Sequence, residues 1–154
     1  MHDGIAQMFR VIEQARMFIG VKSMATASTA YLNALSYAKD RVQGGNMLKI
    51  MDKASPRVRI IEHPDVRRSL MLQKSVSEGM RALVFYGASI QDQVELAGGH
   101  GAGGDEAKAL EARNDLLLPL IKGYNSEKTY ELLNAALQVY GGAGYTQDFP
   151  AEQY

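Results

Sequence analysis

Apolar residues recur at Ile5, Met8, Ile12, Ala15 and Ile19 in steps of three and four, and then at Ala27, Ala30, Ala34 and Ala38. That spacing keeps one face of a helix turned inward. No proline interrupts residues 4–43, so the pattern predicts one long helix there. Gly44-Gly45 ends it, because glycine accepts the left-handed backbone that closes a helix. The alanines predict close approach of a second helix. Residues 45–61 predict a loop. In it Met47, Leu48, Ile50 and Met51 form a helical turn lying on the body, followed by Ser55-Pro56 and the basic Arg57 and Arg59.

A second helix is expected from His63-Pro64-Asp65, since proline suits the first helical position and an acidic residue suits the first turn. Its inward face reads Leu72, Val76, Met80, Leu83, Val84, Gly87, Ile90 and Val94, and Gly98-Gly99 ends it. Gly98 to Gly104 predicts a flexible loop. Asp105 is the expected N-cap of a third helix running to Tyr140. Pro119 is expected to kink that helix and Gly123-Tyr124-Asn125 to loosen it, before Gly141-Gly142 stops it. Residues 143–154 predict a loop, and no segment predicts a strand. The expected fold class is all-α: long antiparallel helices forming most of an up-down four-helix bundle. A helix of forty residues spans ~60 Å, and three such helices leave an open side that calls for a fourth helix or a partner chain. The abrupt end after Glu152-Gln153-Tyr154 gives the expectation of a piece of something longer.

Composition narrows the function classes. The 154 residues contain no cysteine, which excludes a disulfide framework and a thiolate-held metal. Lys plus Arg equals Asp plus Glu at 17 each, so a charge-driven nucleic-acid binder is not expected. No run of about 18 apolar residues is present, so no membrane span is expected. The start, Met1-His2-Asp3-Gly4, does not read as a secretory leader, and the expected location is cytoplasmic.

Candidate chemistry is sparse. Gly99-His100-Gly101-Ala102-Gly103-Gly104 matches G-x-G-x-x-G in letters only, because a helix precedes it where a dinucleotide fingerprint needs a strand. The three histidines are scattered: His2 at the N-terminus, His100 in the glycine loop, and His63 at a helix start, where local capping is the plain alternative to a site role. Arg16 and Arg41 stand 25 residues apart on the first helix, about seven turns and ~37 Å, on one face. Both read as solvated arginines, except that Arg41 precedes a helix end where a backbone could approach a phosphate group. Gln138-Val139-Tyr140-Gly141-Gly142-Ala143-Gly144-Tyr145 is the densest signal. Its glycines serve either a helix cap or close backbone approach to a ligand.

Four segments together resemble the C-terminal helical domain of the acyl-CoA dehydrogenases. They are Glu13-Gln14-Ala15-Arg16 with the run Tyr31 to Arg41; Ile61-Glu62-His63-Pro64-Asp65-Val66-Arg67-Arg68; Leu116-Leu117-Leu118-Pro119; and Gln138 to Tyr154. Their order and spacing agree over nearly the whole chain. Loops 44–61 and 97–105 look longer than in compact members, which places the likeness nearest the loop-extended bacterial branch. The resemblance implies a flavoenzyme with an N-terminal helical domain, a middle β-domain and this helical domain, assembled as a homodimer or homotetramer carrying FAD. Such an enzyme oxidises acyl-CoA to trans-2-enoyl-CoA: a glutamate takes the α-proton, the β-hydrogen leaves as hydride, and an electron-transfer flavoprotein receives the electrons.

By that resemblance Arg41 contacts the FAD pyrophosphate of a neighbouring subunit, with Gln43 close by. His63 lines the flavin region. Gln138, Gly141 and Gly142 are adenosine-side contacts, and Glu13 and Arg16 border the substrate. The catalytic glutamate of the commonest subgroup follows the Gly-Gly motif beyond Tyr154. The position used by another subgroup, just before the first-helix arginine, is Ala15 here. No catalytic base is therefore assigned. An acyl-CoA oxidase of the same fold and a stand-alone helical oligomerisation module are the alternatives. The 154 residues alone are expected to turn over no acyl-CoA and to hold FAD weakly or not at all; dehydrogenation by the isolated chain in a turnover assay would contradict this.

Overall fold

A computed structural model describes residues 4–49, 51–52, 54–101 and 103–154. The readings made above for His2, Ile50 and Ala102 lie outside these residues. Three α-helices carry most of the described chain: α1, Gly4–Asp40; α2, Pro64–Leu96; and α3, Asp105–Tyr140. The all-α expectation holds in this sense. A short strand pair, β1 (Val42–Gly45) and β2 (Arg57–Arg59), joins α1 to α2. Four 3-10 turns are present, at Met47–Lys49, Ile60–Glu62, Gly141–Tyr145 and Pro150–Gln153. None of the described helices is long and apolar enough to cross a membrane.

The strands correct the expectation of a loop over 45–61, and α1 stops at Asp40, three residues early. β1 and β2 pair antiparallel, Val42 opposite Arg59 and Gly45 opposite Arg57, with a bulge between. β1 is exposed throughout, and β2 alternates over only three residues, Arg57-Val58-Arg59, too short a run to mark a strand in the sequence. A 3-10 turn is present at Met47–Lys49, but it does not lie on the body as expected: none of its residues is buried, and Leu48 and Met51 are almost fully exposed.

The chain forms two compact units. The first comprises Met1–Ala25 and Glu78–Lys128. Its core joins Met17, Val84, Leu118 and Ile121, flanked by Met24, Leu83 and Leu117. Gly20 and Gly87 make this core possible, since a methyl group on either would overlap the Ile121 side chain. The buried Asn125 amide donates to the Gly20 carbonyl at 3.2 Å. The α1 face expected inward turns out exposed: Ile5 is 71% exposed, Met8 49% and Ile19 41%. The reason is the close approach at Ile121, which admits the Met17 and Gly20 side of α1, one residue or about 100° round from Ile19. On α2, Met80, Val84, Ile90 and Val94 are buried as expected. Asp105 is the first helical residue, and the carbonyl of Gly104 accepts the Lys108 amide at 3.2 Å in the capping position. α3 runs unbroken through Pro119 and Gly123-Tyr124-Asn125. Pro119 and Asp115 are both exposed, so water can take the carbonyl that the proline leaves unpaired.

The second unit comprises Thr26–Ser77 and Thr129–Tyr154. Its core joins Ala30, Ala34 and Ala38 of α1, Ile60, Leu70 of α2, and Ala136, Val139 and Tyr140 of α3. The alanine stripe is therefore inward, as its spacing predicts. Leu72 is not: it is half exposed, and Leu70 and Gln73 hold the buried positions. The segment expected to be a loop over 143–154 holds two 3-10 turns instead. Gly144 packs against Leu137 and Tyr140 so closely that a Cβ would meet the Leu137 carbonyl oxygen at 3.0 Å. The Asn33 amide donates to the Tyr154 hydroxyl, tying the last turn to α1.

These contacts give substitutions of opposite sign. Gly20→Ala is expected to destabilise the chain by about 1–2 kcal/mol, because overpacking costs about 1–3 kcal/mol and alanine regains up to ~1 kcal/mol of helix propensity. Gly79→Ala, where nothing lies within 4 Å, is expected to stabilise it by ~0.5–1 kcal/mol. Urea denaturation of the two variants checks both.

Candidate functional site

The best-formed site lies in the second unit, where α1 ends. The Arg41 amide donates to the Tyr37 carbonyl at 2.9 Å, closing the last turn of α1, and the Arg41 carbonyl accepts the Ile60 amide at 2.9 Å. The two peptide groups flanking the Arg41 Cα are thus both held while the side chain stays exposed. Two residues on, the Gln43 carbonyl accepts Nε2–H of His63 at 2.7 Å. That bond leaves Nδ1 of the neutral ring as the acceptor. His63 also caps locally. Its amide donates to Ile60 and its carbonyl accepts the Arg67 amide at 3.0 Å, just ahead of Pro64. The capping reading of His63 thus corresponds to contacts it makes.

The end of α3 supplies the facing wall. Gln138 is exposed on its last turn, and Gly141 turns the chain with φ +59, a backbone that suits glycine. Arg41, Gln43, His63, Gln138 and Gly141 line one cleft of about 370 Å³, with Tyr37, Ile60 and Tyr140 among its walls. Gly142 does not line it. A second cleft of about 480 Å³ shares Arg41, Tyr37 and Tyr140 and adds Asn33, Ser36, Asp40, Phe149 and Pro150. Arg41 thus borders both. Glu13 and Arg16 belong to the first unit. There Glu13 lies 3.5 Å from Arg10 and 3.6 Å from His100, and His100 lies 3.6 Å from Glu111, whose carboxylate also accepts the Gly101 amide.

The sequence reading missed the aromatic group between the two clefts. Tyr37 and Tyr140 stack at 4.7 Å between ring centres, and Phe149 meets Tyr37 edge-on at 5.3 Å. Tyr37 stands one turn before Arg41 and one turn after Asn33, and that periodicity was the available signal. Burial, then Tyr154 and Tyr37 nearby, pushes the Tyr140 hydroxyl up to about 12. Among the described residues no cluster of three His, Asp or Glu side chains could hold a metal ion.

Residues 2–154 match the family described as "Acyl-CoA dehydrogenase, C-terminal domain". The chain is 55% identical over 153 residues to the broad-specificity linear acyl-CoA dehydrogenase FadE5 of Mycobacterium tuberculosis, covering 99% of this chain and 24% of that protein. It is 35% identical over 154 residues to a 3-methylmercaptopropionyl-CoA dehydrogenase of Ruegeria pomeroyi, covering 99% and 25%. It is 38% identical over 147 residues to a butyryl-CoA dehydrogenase of Syntrophomonas wolfei, covering 96% and 23%. The chain therefore spans about a quarter of the length of the curated relatives it matches.

The buried Tyr140 makes stability depend on alkaline pH. Below the ordinary tyrosine value of 10.0 both folded and unfolded chains hold the phenolic proton. Between 10.0 and about 12 the unfolded chain releases it and the folded chain does not. The unfolded state is favoured progressively across that window. An ultraviolet tyrosinate titration is expected to show one of the eight tyrosines ionising last, and Tyr140→Phe is expected to remove that step and to flatten the fall in stability.

Proposed function

The chain belongs to the acyl-CoA dehydrogenase C-terminal domain family, and on that premise we propose that it is the FAD-binding and subunit-pairing domain of an enzyme that oxidises acyl-CoA thioesters to trans-2-enoyl-CoA. The observation that carries this reading is the convergence of Arg41, Gln43, His63, Gln138 and Gly141 on one cleft, although up to 100 residues separate them along the chain. The residues suit the nucleotide end of FAD. Arg41 offers an exposed guanidinium fork, which matches pyrophosphate geometry. Gln138 offers an exposed amide for hydrogen bonding to the adenosine. Gly141 lets backbone approach without a side chain in the way. Gly142 joins this side from the same turn. His63, its Nε2–H committed to Gln43, presents Nδ1 toward the flavin region as an acceptor. Glu13 and Arg16 would border the thioester. Bound FAD would supply the two-electron acceptor. This chain's part is to bind, orient and cover it, while the base that takes the α-proton is not assigned to any residue of the chain.

The same reading has the three helices forming most of an up-down four-helix bundle and the protein assembling as a homodimer or homotetramer, with an electron-transfer flavoprotein as acceptor and the cytoplasm as location. The apolar side chains left exposed in the first unit, Phe9, Val11 and Phe18 among them, support burial against further protein surface.

Flavin retention tests the proposal. In the enzyme assembled from the whole polypeptide, Arg41→Gln is expected to weaken FAD binding about tenfold or more, the scale of one lost charge-assisted hydrogen bond. Gln138→Ala is expected to weaken it less. Visible absorbance of the purified variants reads this out, and undiminished flavin content in both would overturn the assignment.

A further inference from the structure

The strand pair carries a third cleft that the cofactor reading leaves unused. It has a volume of about 510 Å³ and is lined by Gly44, Gly45, Asn46, Met47, Lys49, Asp52, Ser55, Arg57 and His63. Three features give it a chemical character. First, two permanent cations, Lys49 and Arg57, line it against one carboxylate, and Oδ1 of that Asp52 is taken by the Ala54 amide at 2.9 Å. Neither cation has an ion pair among the described residues. Second, the Ser55 hydroxyl is buried and has no hydrogen-bond partner among the described residues. A buried hydroxyl left unpaired is costly unless a ligand or water completes it. Third, the walls hold their shape. The Asn46 side chain accepts the Leu48 amide at 2.9 Å. Gly45 stands opposite Arg57 across the strands. The positive φ of Gly44 brings its backbone against the His63 ring, which is itself bonded to Gln43.

From this set we infer that the strand-pair cleft binds a terminal phosphate monoester. Lys49 and Arg57 match the two negative charges of such a group. The Ser55 hydroxyl donates to one of its oxygens. A pyrophosphate bridge is an anhydride with one charge on each of two phosphorus atoms, so it spreads two charges over a longer span than a terminal phosphate does. The site shares only Gly44 and His63 with that cleft, so it stands independently of where FAD is held. Two sources offer this chemistry: free inorganic phosphate, and a phosphate carried on the ribose of a nucleotide, for which the cleft has room.

Calorimetric titration of the full chain tests the inference with three probes: inorganic phosphate, adenosine 3′,5′-bisphosphate and ADP-ribose, which has a pyrophosphate but no terminal phosphate. Inorganic phosphate and the bisphosphate are expected to bind, to weaken as salt rises, and to lose about tenfold or more in affinity in the Lys49→Gln, Arg57→Gln double variant. Ser55→Ala is expected to weaken both by a smaller factor. Tighter binding of the bisphosphate than of inorganic phosphate identifies a nucleotide phosphate as the source, and equal binding identifies free phosphate. Absence of binding by both probes up to millimolar concentration, or affinities unchanged in the double variant, overturns the inference. ADP-ribose weakened by Arg41→Gln but not by the double variant bears on the cofactor cleft instead, so the two assignments fail separately.

Discussion

Ile121 leaves no room around itself, and much of the packing follows from that. A methyl group placed on Gly20 or on Gly87 would occupy space that the Ile121 side chain already fills. In the other unit the same economy is achieved with Ala30, Ala34, Ala38 and Ala136, all essentially without exposed surface. Close helix contact through small residues gives up the larger apolar area that leucine would bury. It gains short, well-fitted contacts that hold a helix in one rotation about its axis. Within the second unit the rotation set by the alanines decides which residues at the end of α1 meet the end of α3.

That rotation puts Tyr37 and Arg41 on the side where Gln138, Tyr140 and Gly141 arrive. The aromatic group of Tyr37, Tyr140 and Phe149 fills the corner, and its burial accounts for the Tyr140 hydroxyl holding its proton to about 12. Around this corner, backbone groups rather than charged pairs fix the positions. Hydrogen bonds at the site join Arg41 with Tyr37 and Ile60, and His63 with Gln43 and Ile60. The guanidinium and the Gln138 amide are left facing solvent.

Much of this was legible in the sequence, and the failures have physical reasons. The three helices followed from apolar spacing and from the glycines and proline at their ends. The candidate residues Arg41, Gln43, His63, Gln138 and Gly141 were legible through resemblance, because no spacing rule links positions so far apart. Periodicity misplaced the inward face at the start of α1 because it cannot distinguish a face buried within this chain from one left exposed by it; Ile5, Met8 and Ile19 are apolar and exposed. Leu72 fails in the same way, its place inside taken by a glutamine. The strands were invisible because β1 is exposed throughout and the alternation of β2 spans only Arg57-Val58-Arg59. Their pairing depends on a bulge and on the bond from Ile60 to Arg41, neither of which leaves a mark on composition. The aromatic corner was missed because its members belong to α1, α3 and the last turn, which only the folded chain brings together.

The main chain of Arg41 is clamped at both its N–H, by Tyr37, and its carbonyl, by Ile60. Its side chain can therefore move only through its own torsions. Ordering a free loop residue costs roughly 1–2 kcal/mol for the backbone alone, and here folding has already met that cost. What remains is at most ~2 kcal/mol of rotamer freedom. A lysine at this position would keep the charge but present a rounder, more strongly hydrated head from the same anchored origin. The clamp thus fixes where the side chain starts, and two main-chain hydrogen bonds leave only its own torsions to set where the guanidinium reaches.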